Sequence, residues 1–403
     1  MASATDSMPA SYVAAGRCGC PVDRGWFREA AGWQRRGSQR EKLLSSAVVC
    51  QARHRMPIRS ATFHDFGPFA DAEIRCVEGL NVFIGENSTG KSHAMKAIYA
   101  VLETLRGFRE GKVKKVSSGL ETKLAAVFRP DDDAVLRLVR RRRPRHAARI
   151  AVTEVKGAQF VGTISTRGEV EARKPRKPWK PHRSVFLPTR EILSIYPGFV
   201  SLYGDREISF DETYYDACLA LGTPGFKGRR RELAEDLATQ LRNALGGRTE
   251  FTGDRFYVKF DGDRAPMEAH LVAEGLRKIA MLERLVINGS LVQGGYLFWD
   301  EPEANLNPRL TAVVADVLRD LAANGVQVFI TTHDYLLTKH LDLLMARKQE
   351  PPTRFFLFRR PKRGAPVEVT HAERLMDLED NPIAQEFVRL YELKLDAEAE
   401  DDS

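Results

Sequence analysis

The sequence predicts an α/β fold: a mixed sheet flanked by helices, with an antiparallel β subdomain and a helical insertion. Three observations predict it. Apolar, β-branched runs at residues 81–84, 296–300 and 326–332 each end in polar residues and lead into a helical pattern. Between residues 120 and 166, short alternating runs sit between charged turns. Residues 232–245 are strongly amphipathic at helical spacing.

Residues 1–55 mix Ala, Ser, Gly and Arg without either periodicity and without the sustained apolar stretch of a signal segment, so a disordered extension is expected. A targeting peptide is the weaker reading. Cys18-x-Cys20 has no second ligand pair nearby, so no zinc site is read there.

From Ile58 to Ile84 the pattern is strand, turn, strand, strand. The third strand runs straight into Gly85-Glu86-Asn87-Ser88-Thr89-Gly90-Lys91-Ser92, and a helical pattern opens at Lys91. G-x-x-x-x-G-K-S between a strand and a helix is a phosphate-binding loop in its required context. Gly85 and Gly90 allow a turn tight enough to aim successive N–H groups inward, and the helix adds its positive end. Lys91 is then expected to reach the β- and γ-phosphates, and the Ser92 hydroxyl to ligate Mg²⁺.

Residues 120–128, 134–139, 150–155 and 160–166 read as short strands of a β-rich subdomain. Two basic stretches, 137–149 and 173–183, lie in and after it, with Arg140, Arg142, Lys174 and Lys177 as candidate contacts and Trp179 and His182 expected to stack. A charge run is ordinarily a solvated face. Two of them, with aromatic neighbours, support binding to a DNA or RNA backbone equally well.

Residues 184–188 form a strand, 208–246 a helical insertion without the sustained heptads of a long coiled coil, 255–260 a strand, and 276–286 an amphipathic helix. Tyr296-Leu-Phe-Trp-Asp300 is a buried strand ending in a carboxylate, the place for a Mg²⁺-orienting Asp. Glu301 follows at once and is placed to polarise an attacking water. A helix starts near Pro308, and the strand at 326–332 ends in His333-Asp334, where the His reads as a γ-phosphate sensor. After it come a helix at 334–346, a strand at 354–358, a helix at 382–393, and an acidic tail at 396–403 read as solvated.

GENSTGKS at 85–92, LFWDEPEANLNP at 297–308 and VFITTHD at 328–334 resemble the Walker A, Walker B plus D-loop, and switch-His motifs of ABC-type ATPases. Within that class they resemble the SMC, RecF and OLD group, and the stretch from Met56 resembles that group's first strand. The resemblance covers roughly residues 56–360. It implies a P-loop NTPase of ABC type that binds ATP and Mg²⁺, dimerises head to tail, and carries its D-loop at Asn305, Leu306 and Asn307. It also implies a signature segment at Ala273-Glu274-Gly275, which caps the nucleotide of the opposite subunit. Ala273 departs from the Ser usual in the family, and residues 189–191 stand where a Q-loop belongs, without a Gln. No Toprim domain is expected, so a nuclease or other effector would be a partner.

The resemblance divides the chain into an N-terminal extension (1–55), an N-terminal ATPase lobe (56–118), a β-rich subdomain (119–183), a Q-loop-like region with helical insertion (184–270), a C-terminal ATPase lobe (271–395) and the acidic tail (396–403). The composition, 43% hydrophobic and 29% charged, is that of a globular chain with no apolar run of membrane-spanning length, so a cytoplasmic protein without a membrane partner is expected. A net charge of +8 permits a polyanionic partner, and five scattered cysteines fit reduced thiols. N-K-x-D, which a GTPase would need, does not occur, and a transporter motor would carry a fuller signature. The rival to an ATP hydrolase is a nucleotide-gated module with negligible turnover that regulates a partner protein. A chain beginning at Met56 is expected to keep the fold and the ATP site.

Overall fold

The computed structural model describes residues 57–401 apart from 143–145, 206–207, 226–228, 292–294 and 348–350. The readings for residues 1–55, Cys18 and Cys20 among them, lie outside the described residues.

The strands are β1 (Ile58–Phe66), β2 (Phe69–Arg75), β3 (Leu80–Ile84), β4 (Ala147–Glu154), β5 (Gln159–Ser165), β6 (Val170–Arg173), β7 (Ser184–Leu187), β8 (Gly247–Thr252), β9 (Arg255–Phe260), β10 (Met267–Glu268), β11 (Tyr296–Asp300), β12 (Gln327–Thr332), β13 (Thr353–Arg359) and β14 (Glu368–Ala372). The helices are α1 (Lys91–Arg109), α2 (Val116–Phe128), α3 (Tyr196–Gly204), α4 (Glu212–Leu221), α5 (Arg229–Leu245), α6 (Glu274–Ile287), α7 (Pro308–Ala323), α8 (Tyr335–Arg347) and α9 (Pro382–Asp401).

The central sheet has the order β14-β13-β3-β12-β11-β7. Strands β13, β3, β12, β11 and β7 run parallel and β14 closes one edge antiparallel. Every residue of β3 is buried, as expected of a parallel strand covered on both faces. Side chains alternate across it: Leu80, Val82 and Ile84 join one core with α6 and α7, while Phe83 joins the other with α1 and α2. That second core is aromatic, with Phe83 edge-on to Phe356 at 5.3 Å and Phe298 stacked on Phe329 at 4.8 Å.

A five-stranded antiparallel sheet, β2-β1-β4-β5-β6, packs on the same side. Its inward residues Phe63, Ile74, Ile150, Val152, Phe160 and Ile164 share the core of α1 and α2. A third, small sheet has the order β10-β9-β8. Helix α4 docks onto α1 and α2 through polar contacts: Lys96 to Asp211 at 2.8 Å, the Tyr99 hydroxyl to Asp216 at 2.5 Å, and Lys123 to Glu212 at 2.8 Å. Helix α9 continues through the acidic tail to Asp401, with residues 394–398 exposed.

Several expectations are corrected. Residues 120–128 are not a strand but most of α2, because Val116, Leu120, Leu124 and Val127 recur at helical spacing and bury one stripe. Residues 134–139 form a 3₁₀ turn at 135–138, and Val139 makes only an isolated bridge to Phe66. Trp179 cannot stack on a base: it is 7% exposed and packs in the aromatic core. Arg142 is committed to Asp65, donating from Nε at 2.9 Å and also from its terminal nitrogen. Strands β6, β8, β10 and β14 were not expected; they are short or polar and carry little alternation of their own.

Burial would raise the Asp65 carboxyl, but the Arg142 hydrogen bond and charge outweigh it, with His146 and His64 adding to them, and hold it below the usual range. A depressed carboxyl contributes stability that is complete above its ordinary value and is lost as pH falls through the lowered one. Arg142→Gln is therefore expected to be less stable than the parent at about pH 7, with a deficit that shrinks toward about pH 3. Denaturant midpoints across that range check it, and a deficit independent of pH would show that the pair is not the cause. Trp179→Ala is expected to lower the unfolding free energy by about 3–5 kcal/mol, read from the same denaturation curves; an unchanged midpoint would mean the indole is not in the core.

Candidate active site

The loops leaving the carboxyl ends of β3, β11 and β12 meet, as loops do at that end of a parallel sheet. The loop after β3 is shaped by two glycines that no other residue would replace. Gly85 has φ 146°, and a Cβ there would stand 2.2 Å from the Phe358 carbonyl oxygen. Gly90 has φ 88°, and its Cβ would strike Pro68 and Phe69. Ser88 is also left-handed, at φ 64°. Thr89 is buried and its hydroxyl donates to the Glu86 carbonyl at 2.8 Å, whereas the side chains of Glu86, Asn87 and Ser88 are exposed.

Helix α1 opens at Lys91 with Gly90 as its N-cap and no capping side chain, so its first N–H groups are available to an anion. Lys91 is buried, and its ammonium donates to the carbonyls of Gly85 at 2.6 Å and Glu86 at 2.8 Å. Burial lowers its pKa, opposed by the charges of Glu301, Asp300, Glu303 and Glu86. The Ser92 hydroxyl donates to Asp300 Oδ1 at 2.8 Å, and the Thr331 hydroxyl donates to the same oxygen. Asp300, at the end of β11, is thereby tied to α1 and β12 at once.

Glu301 adopts φ 49°, a left-handed geometry unusual for a glutamate. Its N–H donates to the Thr331 carbonyl and hydroxyl at 3.1 and 3.2 Å, and its carboxylate lies 3.2 Å from His333 Nδ1. His333 is exposed and Glu301 half-buried, so the pair borders solvent. The turn continues through Asn305, at φ 62°, and Leu306, whose N–H donates to the Glu303 carbonyl at 2.9 Å. The Asn307 side chain caps α7 by accepting from the Leu310 N–H at 3.0 Å.

Ala273 is the exposed N-cap of α6, with Glu274 and Gly275 in its first turn. The segment touches the turn after β11: Asn305 Nδ2 donates to Glu274 Oε1 at 2.8 Å, and a Cβ on Gly275 would come within 3.0 Å of the Asn305 carbonyl. Arg277 pairs with Glu191 at 2.7 Å, joining α6 to the 189–191 segment that follows β7.

Four neighbours of this site were not anticipated. Lys278 is fully buried, with Nζ 3.4 Å from the Glu301 carbonyl, and burial lowers its pKa against the pull of Glu303, Glu274, Glu301 and Glu191. Its signal was available: it lies on the apolar face of α6, one turn after Gly275 and one before Leu282. Glu303 is buried and accepts from the Thr332 hydroxyl at 2.6 Å, while its Oε2 has no hydrogen-bond partner among the described residues. Burial raises its pKa, opposed mainly by that hydrogen bond. Thr331 looked like an ordinary strand residue, and Arg360, which donates to the Ser88 carbonyl at 3.3 Å, belongs to a distant stretch of sequence. Nothing local marks either.

Of the basic candidates, Arg140 lines a cavity with Arg137, Arg141 and His146, whereas Lys174 and Lys177 line another with Arg149, Arg173 and Arg176. Neither group includes Trp179. The chemistry of the first site suits a phosphate chain with a hard cation. Glycine-shaped backbone would leave room for phosphates, a buried ammonium and helix N–H groups without a capping side chain would suit their charge, and a hydroxyl and a carboxylate are oxygen groups of the kind Mg²⁺ takes.

Residues 80–339 match the family described as "AAA domain, putative AbiEii toxin, Type IV TA system". Among solved structures, an Smc head bound to the C-winged helix domain of ScpA aligns with a TM-score of 0.50 at 11% identity, over 78% of this chain and 97% of that one. The SMC head domain from Thermotoga maritima aligns with a TM-score of 0.45 at 10% identity, over 79% and 99%. The recombination mediator RecF aligns at 0.40 and 12%, over 78% and 98%. At 11% identity the likeness to the Smc head shows the fold alone: a mixed sheet flanked by helices with an antiparallel sheet beside it.

Thr331→Val keeps the shape of a fully buried side chain and removes one donor to the Asp300 carboxylate. A hydrogen bond to a charged group contributes about 1.5–3 kcal/mol, and a loss of that size is expected in chemical denaturation. Equal stability of variant and parent would mean the bond does not form.

Proposed function

Since the chain belongs to the AAA-domain family described above, with residues 80–339 matched, we propose that it binds Mg·ATP, dimerises head to tail around two nucleotides and hydrolyses them to drive a conformational cycle. The observation that carries the reading is Asp300 Oδ1, which accepts from Ser92 at the start of α1 and stands one residue before Glu301. A carboxylate and a hydroxyl so joined would hold the metal. Bound there, Mg²⁺ would supply Lewis acidity to the phosphoryl oxygens.

The protein's own groups do the rest. Lys91 would exchange the carbonyls of Gly85 and Glu86 for β- and γ-phosphate oxygens, keeping a buried cation paired in both states. The backbone N–H groups from Glu86 to Ser92 would cradle the chain. Glu301 would accept the proton of the attacking water, and His333, 3.2 Å from its carboxylate, would orient it and report on the γ-phosphate. Exposed Ala273 and Asn305 lie on one surface, which suits a contact in trans. Without a hydroxyl at Ala273, the N–H groups and dipole of α6 would cap the partner's nucleotide alone.

The exposed basic residues support a site of action on or near nucleic acid, in repair or defence, with an effector or nuclease as partner. The toxin system in the family's description weighs toward defence. Among the described residues no helix is long and apolar enough to cross a membrane, in keeping with a cytoplasmic setting. Ala273 favours one second reading, a nucleotide-gated module with negligible turnover that regulates a partner.

A single-turnover ATPase assay separates the two. Glu301→Gln keeps the hydrogen-bonding shape without the base, so ATP is expected to bind while turnover falls by roughly 10²–10⁴-fold and a dimer accumulates in sedimentation. Lys91→Ala is expected to abolish binding itself. Undiminished turnover in Glu301→Gln would remove Glu301 as the base, and no turnover in the parent protein would leave the gated module.

A further inference from the structure

We propose that the outer face of the five-stranded sheet is a groove for the phosphodiester backbone of duplex nucleic acid, centred on Arg149, Arg173, Lys174 and Arg176. It deepens the nucleic-acid part of the reading above and uses none of its nucleotide chemistry.

The groove follows from strand alternation. On β4 and β5, Ile150, Val152, Phe160 and Ile164 point into the core, so Arg149, Val161 and Thr163 face outward. The register sets Arg149 opposite Thr163, Thr163 opposite Glu171, and Val161 opposite Arg173. Arg149 and Arg173 therefore stand on one face, two strands apart, about 10 Å across the sheet. After Arg173 the chain runs back along this face, and Lys177 Nζ donates to the Lys156 carbonyl at 3.2 Å in the turn between β4 and β5. The result is a cavity of about 750 Å³ in which five cations face the single carboxylate of Glu171.

Among the described residues, Arg149, Arg173, Lys174 and Arg176 form no ion pair. Five cations gathered in a concavity with one carboxylate raise its potential and favour a polyanion. The cavity lining holds no aromatic ring, and Trp179 is in the core, so unpaired bases would lack the aromatic platforms that single-strand sites use. That points to a duplex backbone rather than to single strands.

The tract is long enough for one. A second basic cavity of about 470 Å³, lined by Arg137, Arg140, Arg141 and His146, reaches Thr166 just past the far end of β5. From Gln159 to Thr166 the strand spans roughly 23 Å, the length of about seven base pairs. Arg142 also lines it but is held by Asp65, and Arg137 pairs with Asp131 at 3.2 Å, so Arg140 and Arg141 are the cations it offers.

The test uses the full chain and a fluorescent 20-base-pair DNA duplex, with double-stranded RNA, the single strands and anionic phosphatidylserine vesicles as comparisons. Arg149→Glu with Arg176→Glu is set against Arg255→Glu with Arg264→Glu, an equal charge change at exposed residues around the β9 hairpin. The parent protein is expected to bind duplex, and the groove variant to bind at least about tenfold more weakly, with a salt slope shallower by about 2. The control is expected to lose much less. Binding of DNA and RNA duplexes alike supports a backbone site, as does preference for one of them. No duplex binding at low salt, equal losses in both variants, tighter binding of single strands, or binding of vesicles alone would each overturn the proposal. Steady ATPase activity, measured alongside in every variant, is independent of these outcomes, so failure of the groove and failure of the ATPase reading are told apart.

Discussion

One carboxylate oxygen, Oδ1 of Asp300, accepts hydrogen bonds from the Ser92 and Thr331 hydroxyls, and the geometry of the site depends on that shared acceptor. Ser92 belongs to α1, Asp300 to β11 and Thr331 to β12. They meet only because β3, β12 and β11 are consecutive parallel neighbours, with Ile84 beside Thr332 and Thr331 beside Asp300. Slipping β12 by a residue would turn Thr331 to the opposite face and take one of the two donors from the Asp300 carboxylate. Cores on both faces of the sheet, filled by Val82 and Ile330 on one side and Phe83 and Phe329 on the other, oppose that slip.

Polar and charged contacts link the site to the rest of the chain. Lys278 reaches the carbonyl of Glu301 from α6, Arg277 of the same helix pairs with Glu191 after β7, and Asn305 donates to Glu274. Each bond joins the turn after β11, or the segment after β7, to the first turns of one helix. Lys278 and Glu191 are buried, whereas Asn305 is exposed; buried charges contribute little net stability, and removing one partner leaves the other with the full cost of burial. Their consequence is geometric: the first turn of α6, with exposed Ala273 at its N-cap, is held against the turn that carries Asn305.

The nucleotide motifs were legible because their chemistry is local. Eight consecutive residues, 85–92, carry the turn, the ammonium and the hydroxyl, and strand ends mark Asp300, Glu301 and His333. The stretch at 120–128 was misread although Leu120, Leu124 and Val127 recur at helical spacing rather than alternating, and the stripe they form packs on β6 and α1. Trp179 and Arg142 sat in basic stretches that looked uniformly solvated. Burial of the indole and the partner Asp65, 77 positions away from Arg142, are invisible in those stretches.

Sequence alone determined the class of the fold and the order of its principal strands, and it singled out the residues proposed to face a phosphate chain, since each rests on spacing within a few positions. Tertiary structure decided which strands neighbour one another, and hence that Thr331, Glu191, Lys278 and Arg360 border the site. It also decided which cations are free, separating Arg149, Arg173 and Arg176 from Arg142. The physical reason is the same throughout: propensity and periodicity act over a few residues, whereas burial and charge pairing are settled between segments far apart in the chain.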